Sequence, residues 1–134
     1  MSKTNQLQKM RENFTKRPTA KFVKDILKIS ADLMKEINNL LEKVTEVDRE
    51  ALITLRTRLS DIGEIEKTKE LTKEEKEKYF NETVEIKAAI LEIQRSSTKT
   101  RRIFIRSIAG VGAVLGATKI VVNNLDKIIT IFKK

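Results

Sequence analysis

The 134-residue sequence contains no cysteine, no histidine and no tryptophan. Without thiols there can be no disulfide, no thiolate metal site and no cysteine nucleophile. Without imidazole the chain lacks the commonest general base and the commonest metal ligand. A single Pro and four Gly leave few places where a helix must stop, and only six residues are aromatic. With 35% of the chain charged, this is the composition of long helices and not of sheets. The first 18 residues carry no apolar run and so do not form a secretory signal, which leads us to expect a cytoplasmic body.

The length suits one compact domain. The net charge of +9 is unevenly placed. Basic residues exceed acidic ones by four in residues 1–18, by one in 19–45 and by eight in 95–134, whereas 46–71 and 72–94 each carry two more acids than bases. Basic ends around a near-neutral middle fit nucleic acid, an anionic lipid surface or an acidic protein.

Residues 1–18 show little periodicity and end at Pro18, whose ring disfavours helix in the residue before it. They are expected to form a basic mobile arm, with a short amphipathic helix as the alternative. From Thr19 the helical period is clear: Val23, Ile26, Leu33, Ile37, Leu40 and Val44 recur at steps of three and four, with Ser30 in the one polar slot. Phe22, Leu27, Met34 and Leu41 widen this seam, predicting a helix over 19–44.

Thr45 and Asp48 have the spacing of a capping pair, and a second helix should follow with Leu52, Leu55, Leu59, Ile62 and Ile65 inward. Gly63 weakens its last turns by about 1 kcal/mol relative to Ala. Thr72 and Glu75 form a capping box opening a third helix. That helix carries Phe80, Val84 and Leu91 on one side and Ile86, Ile90 and Ile93 on another, so it should touch two neighbours. Short connections predict an all-α, antiparallel up-down-up bundle over 19–98, or a hairpin plus a long helix.

After the basic hinge that begins at residue 99, with Lys99, Arg101 and Arg102, the character changes. Residues 103–122 contain only two charges, Arg106 and Lys119, each about a turn from an end. Twenty helical residues rise about 30 Å, the thickness of a bilayer's hydrocarbon core. Ala109, Gly112, Ala113, Gly116 and Ala117 line one stripe, and small residues at that spacing let helix backbones approach closely in lipid. The strictly uncharged run, 107–118, is only 12 residues, a length also found in buried core helices. The segment therefore reads as a membrane-inserting or membrane-lying helix, as a fourth helix of a soluble bundle, or as a partner-binding helix.

Farther on, Val121, Leu125, Ile128 and Phe132 face one way, and Asn124, Asp126, Lys127, Thr130 and Lys133 the other. Such a helix can lie in the headgroup plane or serve as an ordinary bundle helix. Lys99, Arg101, Arg102, Arg106, Lys119, Lys133 and Lys134 are the expected contacts to an anionic surface. If the segment spans, the excess of basic residues ahead of it keeps the bundle cytoplasmic.

A polar coiled-coil region, the Arg101–Arg102 doublet and a short Gly/Ala/Ile/Val segment ending in lysines resemble the layout of small phage and prophage membrane proteins of the haemolysin XhlA type. The resemblance covers order and composition over 72–134 and includes no diagnostic motif. The chain departs from the layout in its extra helical hairpin and in the charge within the apolar segment. The resemblance implies a membrane-attached, oligomerising lysis accessory.

Catalytic arrangements are not found. Glu74, Glu75 and Glu77 read as dipole-stabilising acids at a solvated helix start, and Asp32, Glu36 and Glu42 as surface charges among lysines. Gly110 and Gly112 lack the Gly-Lys-Ser/Thr of a phosphate loop. No enzyme, cofactor or metal is expected. The leading expectation is a membrane-associated accessory or effector that self-associates or binds a partner. The alternatives are a soluble four-helix interaction protein of immunity or scaffold type, and a sequence-independent nucleic-acid binder. The last is disfavoured because Phe104 is the only aromatic near the basic cluster.

Overall fold

The computed structural model describes residues 3–44, 46–65, 69–94 and 121–133. Their helices are α1 (Lys3–Thr15), α2 (Thr19–Leu41), α3 (Glu46–Gly63), α4 (Lys73–Gln94) and α5 (Leu125–Phe132), with no strand among the described residues. The fold is all-α, as expected.

The α2 seam is the one its spacing predicts. Phe22, Val23, Ile26, Ser30, Leu33 and Ile37 are buried, and Leu40, Leu41 and Val44 are half-buried at its end. In α3, Leu52, Leu55, Leu59 and Ile62 are buried, and so is Ile65 just beyond its end. Thr45, half of the predicted capping pair, lies outside the described residues; Asp48 is buried. The second capping box forms as drawn: Glu75 N–H donates to Thr72 Oγ1 and Thr72 N–H to Glu75 Oε1, both at 3.1 Å. Each bond satisfies a helix-end amide that has no partner within the helix.

Interhelical bonds give the directions. Arg49 reaches the Leu41 carbonyl and Arg56 reaches Asn38, so α3 runs back along α2. Arg58 of α3 bridges Glu82 and Glu85 of α4. Thr19 meets Glu70 and Leu71 just ahead of α4, and Glu36 meets Lys87 farther along it, so α2 and α4 are parallel. The expected up-down-up order of α2, α3 and α4 is therefore observed. From Thr83 onward α4 is buried on nearly every side, including Ala88, Ala89, Ile90, Leu91 and Ile93, as a helix between several neighbours must be.

One part differs from the leading expectation. Residues 3–15 are helix, where a mobile arm was expected. Leu7, Met10 and Phe14 form a sparse apolar stripe that packs on the core, with Phe14 buried, so burial compensates for an otherwise polar sequence. Phe14 stacks edge-on with Phe22 at 5.4 Å and Phe132 at 5.6 Å, and lies 5.6 Å from Phe80. At the α1–α2 corner, Arg17 lies over the Phe14 ring and pairs with Asp25, while Lys76 Nζ donates to the Arg17 carbonyl.

In α5, Leu125, Ile128, Ile129 and Phe132 are buried, and Ile128 and Phe132 belong to the same core as α1 and α4. In this arrangement α5 is a bundle helix, one of the two forms its sequence left open. Eight residues are too few to hold a helix alone in water. The burial of these side chains, worth at most about 1.5–3 kcal/mol each, accounts for its order.

Candidate functional site

Of the residues expected to pack in or contact a membrane, Lys99, Arg101, Arg102, Arg106, Ala109, Gly112, Ala113, Gly116, Ala117, Lys119 and Lys134 lie outside the described residues. Lys133 is exposed just past α5, its backbone N–H donating to the Thr130 carbonyl. No described helix is long and apolar enough to cross a membrane.

The flanks of the apolar segment nevertheless constrain it. Gln94 ends α4, and Val121 is half-buried against the same core that holds Phe132. A segment crossing a bilayer once would leave α5 on the side opposite Phe14 and Phe80, with which Phe132 is in contact. A single crossing and a docked α5 therefore exclude one another. Residues 95–120 lie outside the described residues.

A described surface that sequence reading did not single out lies on α2. Lys21, Lys24, Lys28 and Lys35 are exposed at spacings of three, four and seven, so they share the outward side of the helix. Lys24 and Lys28 border an open groove of about 480 Å³ lined by Ala20, Val23 and Leu27. Asp25, Asp32 and Glu36 form an adjoining row toward the α2–α5 seam, where Lys21 lies 3.8 Å from Asp25 and Lys28 lines the same cavity as Asp25 and Asp32. The signal was present in the lysine spacing and was hidden by summing the two rows to +1 over residues 19–45. Along α4, Glu74, Glu77, Glu82 and Glu85 line a shallow groove together with Lys78 and Asn81, making a predominantly acidic face.

Among titratable groups, Glu75 is held below the usual carboxylate range. The main cause is the hydrogen bond from Thr72 N–H; desolvation opposes it, and the Thr72 hydroxyl, Lys69 and Lys78 add to the lowering. This is a cap signature. Glu92 is buried, and among the described residues its Oε2 has no hydrogen-bond partner. No cluster of three or more metal-ligating side chains occurs among the described residues. What the arrangement offers is surfaces: a lysine-rich apolar face, an acidic face, and a seam between α2 and α5.

Compared with known proteins, the chain matches no family model, no curated protein and no solved structure.

Proposed function

We propose that this protein is a non-enzymatic helical accessory that binds anionic membrane surfaces from one side. The observation that carries the reading is the exposed lysine face of α2 beside an apolar groove. Each lysine brought to such a surface contributes about 1 kcal/mol of attraction, and the groove accepts acyl or glycerol carbon between the charges. The sequence of 99–122, with basic Lys99, Arg101, Arg102 and Arg106 leading into small apolar residues, has the composition of a second contact to the same anionic surface. The acidic face along α4 is then left for a protein partner or a second copy.

Flotation with lipid vesicles tests this. The full chain should float with vesicles containing phosphatidylglycerol, stay behind with pure phosphatidylcholine, and be released by salt. Lys24→Glu combined with Lys28→Glu should weaken flotation without altering the circular dichroism spectrum. Equal binding to neutral vesicles, or none to anionic ones at low salt, would refute the proposal.

A second reading, a soluble interaction bundle, is favoured by the nearly all-round burial of α4 beyond Thr83 and by the docked α5. On that reading residues 103–120 belong to the core, and their deletion unfolds the remainder. On the membrane reading the deletion leaves a folded bundle with reduced vesicle binding.

A further inference from the structure

Both α2 and α5 pack on α4, and a groove of about 350 Å³ remains between them. Ile29 and Leu33 of α2 and Ile131 of α5 supply its apolar lining, and Lys87 reaches it from α4. A smaller cavity of about 70 Å³ shares Ile29, Asp32 and Ile131 and extends the seam to Phe14 and Arg17.

Asp25 is paired with Arg17 at 2.7 Å, and Glu36 with Lys87 at 2.7 Å. Among the described residues, Asp32, which lines both cavities, has no ion-pair or hydrogen-bond partner, and neither has Lys127 on the α5 wall of the larger groove or Lys28 in the smaller cavity. A buried lysine paired with a carboxylate is a poor device for stability alone, because desolvation offsets the attraction. Beneath an open groove, the same pair is a fixed neutral element flanked by one free anion and one free cation.

We propose that the α2–α5 seam binds a small zwitterion with an aliphatic body, of which an aliphatic α-amino acid is the simplest. Its ammonium group pairs with Asp32, its carboxylate with Lys127, and its side chain covers Ile29, Leu33 and Ile131. A ligand of one charge satisfies only one free group and meets like charge at the other. The groove lies at the small end of the range of about 300–1,000 Å³ typical of small-molecule sites, and it has their mainly apolar lining with a few polar groups. This site is independent of membrane binding.

The test is a titration of the isotope-labelled full chain with leucine, followed by amide shifts. Isoamylamine, which has the ammonium alone, and isocaproate, which has the carboxylate alone, serve as controls. Leucine should give saturable shifts confined to residues 29–36 and 127–131, and each control should bind about tenfold more weakly or worse. Asp32→Asn and Lys127→Gln change exposed side chains, so their melting curves should match the parent while leucine affinity falls about tenfold in each. Absence of saturable shifts, equal binding of all three probes, or parent-like affinity in both variants would overturn the assignment.

Discussion

Phe80 of α4 and Phe132 of α5 stack with ring centroids 4.3 Å apart and planes inclined by 31°. That contact, with Phe14 against both rings, joins the last helix to the bundle. Phe132→Ala should cost about 3–5 kcal/mol, the usual loss for emptying a buried phenylalanine site. Urea unfolding measures it. A cost below about 1 kcal/mol would mean that α5 is not docked in solution.

The Thr72–Glu75 box links stability to pH. Because the folded state holds Glu75 below its unfolded value, its contribution is present above the unfolded pKa and is lost as pH falls through the folded one. The stability gap between the parent and Glu75→Gln should therefore be constant near neutrality and close in acid. Thr72→Ala should cost about 1 kcal/mol at neutral pH, and chemical denaturation across a pH series reads both effects.

Glu36 and Lys87 should respond unequally to substitution. The Lys87 side chain is 10% exposed and that of Glu36 is 36% exposed. Glu36→Gln leaves the buried ammonium without its counter-charge and should cost roughly 1–3 kcal/mol, less than for a fully enclosed pair because solvent screens the partner. Lys87→Met frees a carboxylate that water can reach and should be near neutral. Thermal melts of the two variants would contradict this if the order were reversed.

Glu92 is a site for stabilisation. Its carboxyl is buried and one oxygen has no partner among the described residues, so Glu92→Met should raise stability by about 1–3 kcal/mol. A lowered melting temperature would show that this carboxyl is satisfied in solution.

Gly63 offers a milder test. A methyl group at this helical position would meet nothing within 4 Å, so Gly63→Ala should stabilise by about 0.5–1 kcal/mol. Calorimetry showing no gain would indicate that the last turn of α3 is already frayed.

Sequence periodicity identified α2, α3 and α4 because their apolar residues recur in full stripes, and Thr72 with Glu75 marked a helix start by chemistry alone. It undervalued α1, whose stripe is three residues, Leu7, Met10 and Phe14, among polar neighbours. The spacing of three and four was the available signal, and tertiary packing supplied the rest. Asp32 and Glu36 read as ordinary surface charges because their significance lies in α4 and α5: Glu36 meets a lysine 51 residues away. Nor could one-dimensional order reveal that Gln94 and Val121 leave and rejoin the same body. The predicted small-residue packing stripe itself, Ala109 to Ala117, lies outside the described residues.

The ring contact between Phe14 and Phe132 also sets an order of assembly. The α2–α3 hairpin closes over a few residues, whereas bringing α1 to α5 closes a loop of almost the whole chain and incurs entropy that no local contact repays. The α2–α3–α4 bundle can therefore form early, with the terminal helices docking late and together. Their amide protons should then exchange as one unit, ahead of the α2–α3–α4 core.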